Sequence, residues 1–308
     1  MSAPVAVIDL GSNSIKVLVA ARRDGGLVAL HQQTIEARIS AGIGGAVPRL
    51  GEDGMQRGLA AVQQLLAATA PHAPGRIAIV ATSAVRDAAN GAEFRERIRA
   101  TTGHPVRLLS GDEEANLIGA GLACDPALAA TNDFTVFDLG GGSLECLSFR
   151  GRRLQREVSL RLGAVRMMEK FMPDPAAAFS DAAARALADH VKAALTAADF
   201  PLALPPGGTA FGTGGTFSAA RAMLAARAGK SFEQGDPVLR VSDLRQLEFA
   251  GRLPLAERRT IPGLPAGRAD SFPVALVTVI AVAELGGYRE FRHSAYNLRW
   301  GVAAGLLA

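Results

Sequence analysis

Residues 5–14 read VAVIDLGSNS, and residues 135–143 read TVFDLGGGS. In each stretch an apolar run ends in Asp-Leu-Gly, continues through small and hydroxyl-bearing residues, and leads into a second apolar run. Apolar runs that flank a short segment of Gly, Ser and Asn predict a β-hairpin. Such a turn bares backbone N–H groups that can curl around an anion. Two copies roughly 130 residues apart predict a duplicated domain with two phosphate-binding turns facing one cleft.

The composition indicates which class of protein the sequence encodes. Of the 308 residues, 49% are hydrophobic and 20% are charged, which suits two globular domains and not a disordered segment. The N-terminus leads straight into the first predicted strand, so we expect no signal peptide. The longest apolar stretch, 274–286, is too short to span a bilayer, and we expect no membrane association. Cys124 and Cys146 indicate no disulfide framework, so a cytoplasmic location is the default expectation.

The charge is modestly positive and comes mainly from arginine. The net charge is +4, and only Lys16, Lys170, Lys192 and Lys230 are lysines. Arginine suits bidentate contacts with phosphate, although a GC-rich genome that favours arginine codons would give the same balance. The charge therefore fits a polyanionic ligand without identifying one, and we expect no nucleic-acid partner.

The spacing of apolar residues predicts alternating helices and strands in both halves of the chain. Residues 5–35 predict a three-stranded meander, and 52–70 carry a helical pattern. In the second half, 134–160 predict hairpin strands. An alanine-rich helix is predicted at 181–198, with Ser180 as its N-cap.

This order of elements predicts the fold class α/β. We expect two domains, 1–128 and 129–308, each with a five-stranded mixed sheet flanked by helices, and we allow for the last helix packing back on the first domain. Residues 36–51, 229–240 and 260–271 are interpreted as loops because they combine glycine or proline with charged residues.

The two turns carry residue types suited to a phosphate and a divalent cation. Glycine lets a ligand approach the backbone closely, and serine and asparagine add donors. Carboxylate oxygen is a preferred ligand of Mg²⁺, so Asp9 and Asp138 are candidates to hold the cation directly or through water. The candidate phosphate-binding residues of the turns are Gly11, Ser12, Asn13, Ser14, Gly140, Gly141, Gly142 and Ser143.

A third segment, 110–121, begins SGDEEA and places three acids in the first turn of a predicted helix. Acids there are favoured by the helix dipole alone. Successive residues point about 100° apart around a helix, so Asp112, Glu113 and Glu114 cannot all face one way. One of them is expected to face the cleft and to position a water for attack.

Two further segments follow predicted strands. Arg86, in ATSAVRDAANG, is a candidate to neutralise a phosphate that gathers charge in the transition state. The turn GTGGT opens a helix and suits phosphate or nucleotide, although many glycine-rich helix starts have the same form. Neither a P-loop nor a dinucleotide fingerprint is present, and the five histidines lack zinc spacing. The candidates in the GTGGT turn are Gly212, Gly214, Gly215 and Thr216.

Six motifs in order along nearly the whole chain resemble those of the exopolyphosphatase/guanosine pentaphosphatase (Ppx/GppA) family. That family belongs to the superfamily of actin-like ATPases, sugar kinases and Hsp70. The resemblance implies two ribonuclease H-like domains with the active site in the cleft between them. It also implies hydrolysis of a terminal phosphate from polyphosphate or guanosine pentaphosphate. The motifs are DLGSNS at 9–14, ATSAVRDAANG at 81–91, SGDEEANLIGAG at 110–121, DLGGGSLE at 138–145, GTGGT at 212–216 and PGLPAGRAD at 262–270.

The resemblance also implies roles for individual residues. Glu114 would be the catalytic base, with Glu145 and Arg86 as further catalytic residues. Mg²⁺ or another divalent cation would be held by Asp9, Asp138 and Glu145. A homodimer is compatible with the family, although no residue of the sequence indicates one.

The sequence departs from the family pattern at three places. Residues 38–44 read RISAGIG where the family often has a basic, glycine-containing loop. Leu144 replaces a usual threonine, and Trp300 replaces the glutamate of a common Arg-Glu-Gly. None of these departures touches Glu114 or the phosphate turns.

The sequence favours an exopolyphosphatase and leaves three alternatives open. These are a guanosine pentaphosphate 5′-phosphohydrolase, a polyphosphate- or nucleotide-binding sensor without turnover, and a kinase or ATPase of the same superfamily. A long basic groove would favour polyphosphate, although arginines on a solvated face would have the same pattern. The candidates for that groove are Arg245, Arg252, Arg258, Arg259 and Arg268.

Overall fold

Contacts within the chain separate it into two units. The computed structural model describes residues 3–41, 43 and 47–308. Unit 1 comprises Met1–Ala129 and Tyr296–Ala308, and unit 2 comprises Ala130–Ala295. The division falls one residue after the boundary predicted at 128, and the last helix lies in unit 1. Part of the segment predicted as a loop at 36–51, namely Gly42 and residues 44–46, lies outside the described residues.

Unit 1 is a five-stranded mixed sheet with helices. Its strands are β1 (Val5–Leu10), β2 (Ile15–Arg23), β3 (Gly26–Ile35), β4 (Arg76–Ala81) and β5 (Val106–Leu108). Its helices are α1 (Glu52–Thr69), α2 (Ser83–Asp87), α3 (Gly91–Thr102), α4 (Gly111–Leu122) and α11 (Leu298–Leu306), with short 3-10 helices at Ala70–His72 and Pro126–Leu128. The strand order is β3-β2-β1-β4-β5, with β1 antiparallel to β2 and parallel to β4.

The central strand of unit 1 is covered on both faces. Val5, Val7, Ile8 and Leu10 of β1 are each at most 2% exposed. A strand buried on both faces has an almost continuous apolar run and not an alternating one, which explains VAVI before Asp9.

Two glycines let α11 approach α4 closely. A Cβ on Gly301 would lie 1.9 Å from the carbonyl oxygen of Leu117, and one on Gly121 would lie 2.0 Å from that of Asn297. Any larger residue would have to separate the helices, so these glycines hold the C-terminal helix against unit 1.

Unit 2 has six strands, one more than predicted. Its strands are β6 (Phe134–Leu139), β7 (Leu144–Arg150), β8 (Arg153–Leu160), β9 (Thr209–Gly214), β10 (Val238–Arg240) and β11 (Glu290–His293), in the order β10-β11-β9-β6-β7-β8. Its helices are α5 (Ala164–Phe171), α6 (Asp181–Ala197), α7 (Gly215–Arg227), α8 (Val241–Gln246), α9 (Leu255–Arg258) and α10 (Phe272–Gly286), with 3-10 helices at Leu247–Arg252 and Ala266–Arg268.

The additional strand is β10, which lies in the segment 229–240 that we interpreted as a loop. It pairs antiparallel with β11 over three residues. A strand of this length is too short to show an alternating apolar pattern, so pairing with β11 defines it, not its own sequence.

The helix α10 is apolar on all sides because it is surrounded by protein. Eleven of its fifteen residues are buried, including Val274, Ile280 and Val282. A helix that is apolar all round belongs in the core of a domain of this size. Among the described residues, no helix combines the length and apolarity needed to cross a bilayer.

Candidate active site

The two predicted turns close hairpins of matching register. In unit 1, Asp9 of β1 lies opposite Lys16 of β2, and the turn follows at 11–14. In unit 2, Asp138 of β6 lies opposite Glu145 of β7, followed by the turn at 140–143. Each aspartate is therefore the penultimate residue of its strand, directly before the glycine-containing turn.

A loop after β3 donates hydrogen bonds to the backbone carbonyls of the first turn. The Arg38 N–H donates to the Asn13 carbonyl at 2.9 Å, and the Ser40 N–H donates to the Ser12 carbonyl at 3.2 Å. The Ser40 hydroxyl donates to the same Ser12 carbonyl at 3.1 Å. A C=O and the next N–H point in opposite directions from one planar peptide. The Asn13 and Ser14 N–H groups therefore point away from this loop, as a phosphate-binding turn requires.

The start of α5 holds the second turn in the same way. Its backbone N–H groups donate to the carbonyls of Gly140 and Gly141, each at 2.9 Å. The Arg166 Nε donates to the Gly142 carbonyl at 3.1 Å. The N–H groups of Gly141, Gly142 and Ser143 consequently point away from the helix. Both predicted turns thus have carbonyls occupied on one side and amides directed to the other.

A capping box at the start of α4 distinguishes its consecutive acids. The Ser110 hydroxyl accepts from the Glu113 N–H at 3.1 Å, and Glu113 Oε2 accepts from the Ser110 N–H at 2.9 Å. Glu113 also accepts from Arg107 at 2.6 Å. Asp112 is exposed. Glu113 is therefore a structural cap, which leaves Glu114 as the buried acid.

Glu114 forms an ion pair with Arg86 inside unit 1. Arg86 Nη1 donates to Glu114 Oε2 at 3.0 Å and to the Leu109 carbonyl at 2.9 Å. The Glu114 side chain is 8% exposed and that of Arg86 is 23% exposed. At the start of the Arg86 helix, the Ser83 and Ser12 hydroxyl oxygens lie 3.4 Å apart. These contacts bring together two of the three predicted catalytic residues, and they connect the helix of Arg86, α2, to the first turn.

Asp9 carries a buried oxygen without a partner. Its Oδ1 makes no hydrogen bond with any described residue. Burial raises the pKa of Asp9, while the nearby charges of Lys16 and Arg299 act in the opposite direction. A buried carboxylate oxygen of this kind is suited to a cation or to a water bound to one.

The two carboxylates of the second hairpin are held by different contacts. Asp138 Oδ1 packs against Gly214, where an added Cβ would lie 2.5 Å from it. Glu145 is buried, and its Oε1 accepts from the Ser159 hydroxyl at 2.9 Å. Among the described residues, no three His, Cys, Asp or Glu side chains cluster as a metal cage. The carboxylate oxygens of these residues fit Mg²⁺, which commonly uses one or two carboxylates together with water and phosphate oxygens as ligands.

The glycine turn at 212–216 opens α7 as predicted. Gly214 is the N-cap, with φ 91° and ψ −179°, a conformation that glycine adopts readily and other residues avoid. An added Cβ on Gly215 would lie 2.1 Å from the Arg268 guanidinium, so this arginine rests on the helix start. Thr216 is buried in the first turn of the helix. Glycine at 212 has a packing reason, because an added Cβ would lie 2.2 Å from the Phe217 ring.

Comparison with known protein families identifies the family of this chain. The model of the Ppx/GppA phosphatase family matches residues 18–308. The chain belongs to this family. The resemblance stated from the motifs is thereby confirmed.

Solved structures of Ppx/GppA proteins share the fold. The Aquifex aeolicus PPX-GPPA enzyme is 23% identical with a TM-score of 0.76, over 98% of this chain and 99% of that one. An exopolyphosphatase from Cytophaga hutchinsonii is 21% identical with a TM-score of 0.86, over 99% and 97% of the two chains. An exopolyphosphatase-like protein is 24% identical with a TM-score of 0.86, over 99% and 98%. These similarities confirm the predicted α/β fold of two domains.

One candidate for the basic groove is wrong for this Ppx/GppA protein. Arg258 has no exposed surface and donates to four backbone carbonyls, so it ties buried loops together and lines no groove. Burial lowers its pKa, with partial compensation from Asp270. Arg245 forms an ion pair with Glu284, whereas Arg252 and Arg259 are exposed.

Sequence reasoning missed the residues that hold the turns. Ser40, Arg166 and Ser159 come from segments outside the motifs and contact them only in the folded chain. Gly163 is another: its added Cβ would lie 2.2 Å from the carbonyl carbon of Gly142. Gly163 likewise lies outside the six motifs.

Proposed function

We propose that this protein hydrolyses the terminal phosphoanhydride of inorganic polyphosphate. The observation that carries the proposal is the buried Glu114–Arg86 ion pair at 3.0 Å, in the same unit as a turn whose amides point away from its supporting loop. Membership of the Ppx/GppA phosphatase family supports phosphoryl chemistry. The exopolyphosphatase among the similar structures supports the choice of polyphosphate.

Glu114 is the general base in this proposal. Arg86 orients the carboxylate through Oε2, and Glu114 accepts a proton from the attacking water. The water oxygen forms a bond to the terminal phosphorus, and the bridging P–O bond breaks. Its electron pair leaves with the shortened chain. Backbone amides of the turns at 11–14 and 140–143 bind phosphate oxygens and stabilise the charge there.

A divalent cation fits the acidic residues of the hairpins. We assign Asp9 in unit 1, and separately Asp138 and Glu145 in unit 2, as the residues that would hold Mg²⁺ or a similar ion. The partnerless, buried Oδ1 of Asp9 supports this assignment. When bound, the cation would neutralise phosphate oxygens and so favour attack by a nucleophile.

The test compares two adjacent acids of one helix. Phosphate release is measured from long-chain polyphosphate with Mg²⁺, beside guanosine pentaphosphate and ATP, for the wild type, Glu114→Gln and Glu113→Gln. We expect Glu114→Gln to lose about 10²-fold or more, the scale of a lost general base. Glu113→Gln weakens the capping box and the ion pair with Arg107, so it should keep its rate while unfolding more easily.

Each other outcome points to a different function. Release from guanosine pentaphosphate alone would replace the proposal with the nucleotide phosphohydrolase. Tight binding without release from any substrate would favour the sensor. Equal losses in the two variants would remove Glu114 from the role of base.

A further inference from the structure

A part-buried hydrogen-bonded chain of Arg221, His293 and Ser218 ends at the glycine turn of unit 2, and the proposed chemistry does not use these three side chains. His293, the last residue of β11, is 5% exposed and lies between two residues of α7. Its Nε2 lies 3.0 Å from the Ser218 hydroxyl, and its Nδ1 lies 3.5 Å from Arg221 Nη1. The Ser218 hydroxyl donates onward to the Gly214 carbonyl at 3.0 Å.

The donors and acceptors define one direction for this chain. A guanidinium can only donate, so Nδ1 of His293 must accept from Arg221. The neutral imidazole then carries its proton on Nε2 and donates to Ser218. Burial, followed by the nearby charge of Arg221, lowers the pKa of His293 to about 4, which keeps the ring neutral near pH 7.

The far end of the chain is anchored in the segment before β10. Arg221 donates to the Gly235 carbonyl through Nη2 at 2.8 Å and through Nε at 3.3 Å. Its guanidinium lies 4.7 Å from the centre of the Phe232 ring, which also meets the His293 ring edge to face. The position of the guanidinium is therefore determined from two sides.

At its Ser218 end, the hydrogen-bonded chain contacts a single peptide group. Ser218 holds the carbonyl of Gly214, and the same planar peptide carries the N–H of Gly215 in the opposite direction. That N–H belongs to the first residue of α7, so the helix itself supplies no acceptor for it, and a helix start of this kind can face an anion. Gly214 is at φ 91°, where glycine has wide conformational freedom. It pairs with Leu139 in the sheet and caps α7, and the Ser218 hydroxyl adds a further contact to its carbonyl.

We propose that His293, acting with Ser218 and Arg221, is a positioning residue that holds the Gly215 N–H toward a substrate phosphate. The inference rests on the proposed function and extends it, because it adds the turn at 212–216 to the turns that receive a phosphate. None of the three side chains touches the reacting atoms. Their contribution is a fixed donor, which saves the substrate the cost of ordering the turn.

Two variants with a matched control test this role. Ser218→Ala removes the last link of the chain, and His293→Ala removes the middle one. Thr278→Val is the control, because the buried Thr278 hydroxyl makes an equivalent bond to the carbonyl four residues earlier, in α10 of the same unit. Each variant is assayed for KM and kcat on polyphosphate, for the Kd of tripolyphosphate by calorimetry, and for melting temperature.

The expected result is a change in binding more than in rate. Ser218→Ala and His293→Ala should raise KM and the tripolyphosphate Kd about three- to tenfold, the scale of one hydrogen bond, with kcat within about twofold. The double variant should lose no more than the worse single variant if the chain acts as a unit. His293→Gln, which also offers a donor and an acceptor, should recover most of the affinity. Thr278→Val should lower the melting temperature without changing KM.

A second readout separates this inference from the proposed function. ¹⁵N relaxation should show greater mobility of the Gly214 and Gly215 amides in His293→Ala and unchanged mobility in Thr278→Val. A wild type that binds tripolyphosphate but releases no phosphate overturns the hydrolase and leaves the positioning role testable by Kd and mobility. Unchanged Kd and mobility in both Ser218→Ala and His293→Ala overturn the positioning role, as does an equal loss of affinity in Thr278→Val. Absence of tripolyphosphate binding to the wild type overturns both proposals.

Discussion

The two hairpins share a backbone register but differ in the charge opposite the aspartate. In unit 1, Asp9 lies opposite Lys16, and the charge of Arg299 is also close. In unit 2, Asp138 lies opposite Glu145, so two carboxylates are direct cross-strand neighbours. Like charges at such positions are destabilising unless a cation lies between or beside them. One backbone pattern therefore supports two electrostatic environments, and the second is the better suited to hold a cation.

The two turns are also supported by different kinds of structure. An irregular loop holds the first turn through Arg38 and Ser40, whereas the start of α5 holds the second. A helix start offers several backbone donors in fixed geometry, because its first N–H groups lack intrahelical acceptors. The second turn should accordingly be the more rigid of the two, and the predictions below test both differences.

The largest effect is expected from removing one carboxylate of the second hairpin. Glu145→Gln takes away one of two cross-strand acids, so the half-saturating Mg²⁺ concentration should rise at least about tenfold and activity should fall about 10²-fold. A Mg²⁺ titration of phosphate release measures both. Asp243→Asn, which changes a surface acid of the same unit, is the control. Unchanged Mg²⁺ dependence in Glu145→Gln would remove this residue from the cation site.

A methyl group behind the second turn should have the next largest effect. In Gly163→Ala the new Cβ would meet the backbone of Gly142 at 2.2 Å and of Ser143 at 2.3 Å, so the turn must shift. We expect a loss of about 2 kcal/mol in the free energy of unfolding, together with a raised KM. Urea unfolding and steady-state kinetics check this. Gly305→Ala is the control, because no atom lies within 4 Å of its added Cβ and its stability should not fall.

Acid should destabilise unit 2 through His293. Its pKa is about 4 in the folded protein and near 6.5 when unfolded, so between these values the unfolded chain binds more protons. The contribution of His293 to the free energy of unfolding is therefore fully present above about pH 6.5 and is lost as the pH falls toward 4. The loss is about 2 kcal/mol at pH 5. The charged groups around the ring are Arg221 and, through it, Asp236 and Glu233.

Urea unfolding followed by circular dichroism at pH 7 and pH 5 measures this loss. The variant His293→Gln cannot titrate and should lose distinctly less stability than the wild type over the same interval. Equal losses in the two proteins would show that other groups carry the acid sensitivity.

The smallest effect is expected at the first turn. Ser40→Ala removes the hydroxyl donor to the Ser12 carbonyl, but the Ser40 N–H still donates to the same oxygen. We expect kcat/KM to fall only about threefold, because one of two parallel hydrogen bonds remains. An effect larger than that of Gly163→Ala would reverse the ranking of the two supports.

Much of the candidate site could be predicted because its signals are local. The hairpins, the glycine turn and the acidic first turn of α4 each depend on residues within a few positions of one another. Apolar periodicity likewise predicted helices at 52–70 and 181–198, close to the observed bounds of α1 and α6. The chain of Arg221, His293 and Ser218 had no such signal, because β11 and α7 lie far apart in the sequence.

Sequence alone determined the repeated Asp-Leu-Gly hairpin, the family and the general α/β fold, because short-range sterics and apolar patterns act between chain neighbours. Tertiary structure decided which acid of Asp112, Glu113 and Glu114 is buried, and it gave Glu114 its partner Arg86. It also buried Arg258 and added the strand β10 to the second sheet. These outcomes depend on contacts between residues distant in the chain, where burial and hydrogen-bond geometry exist only after the elements have packed.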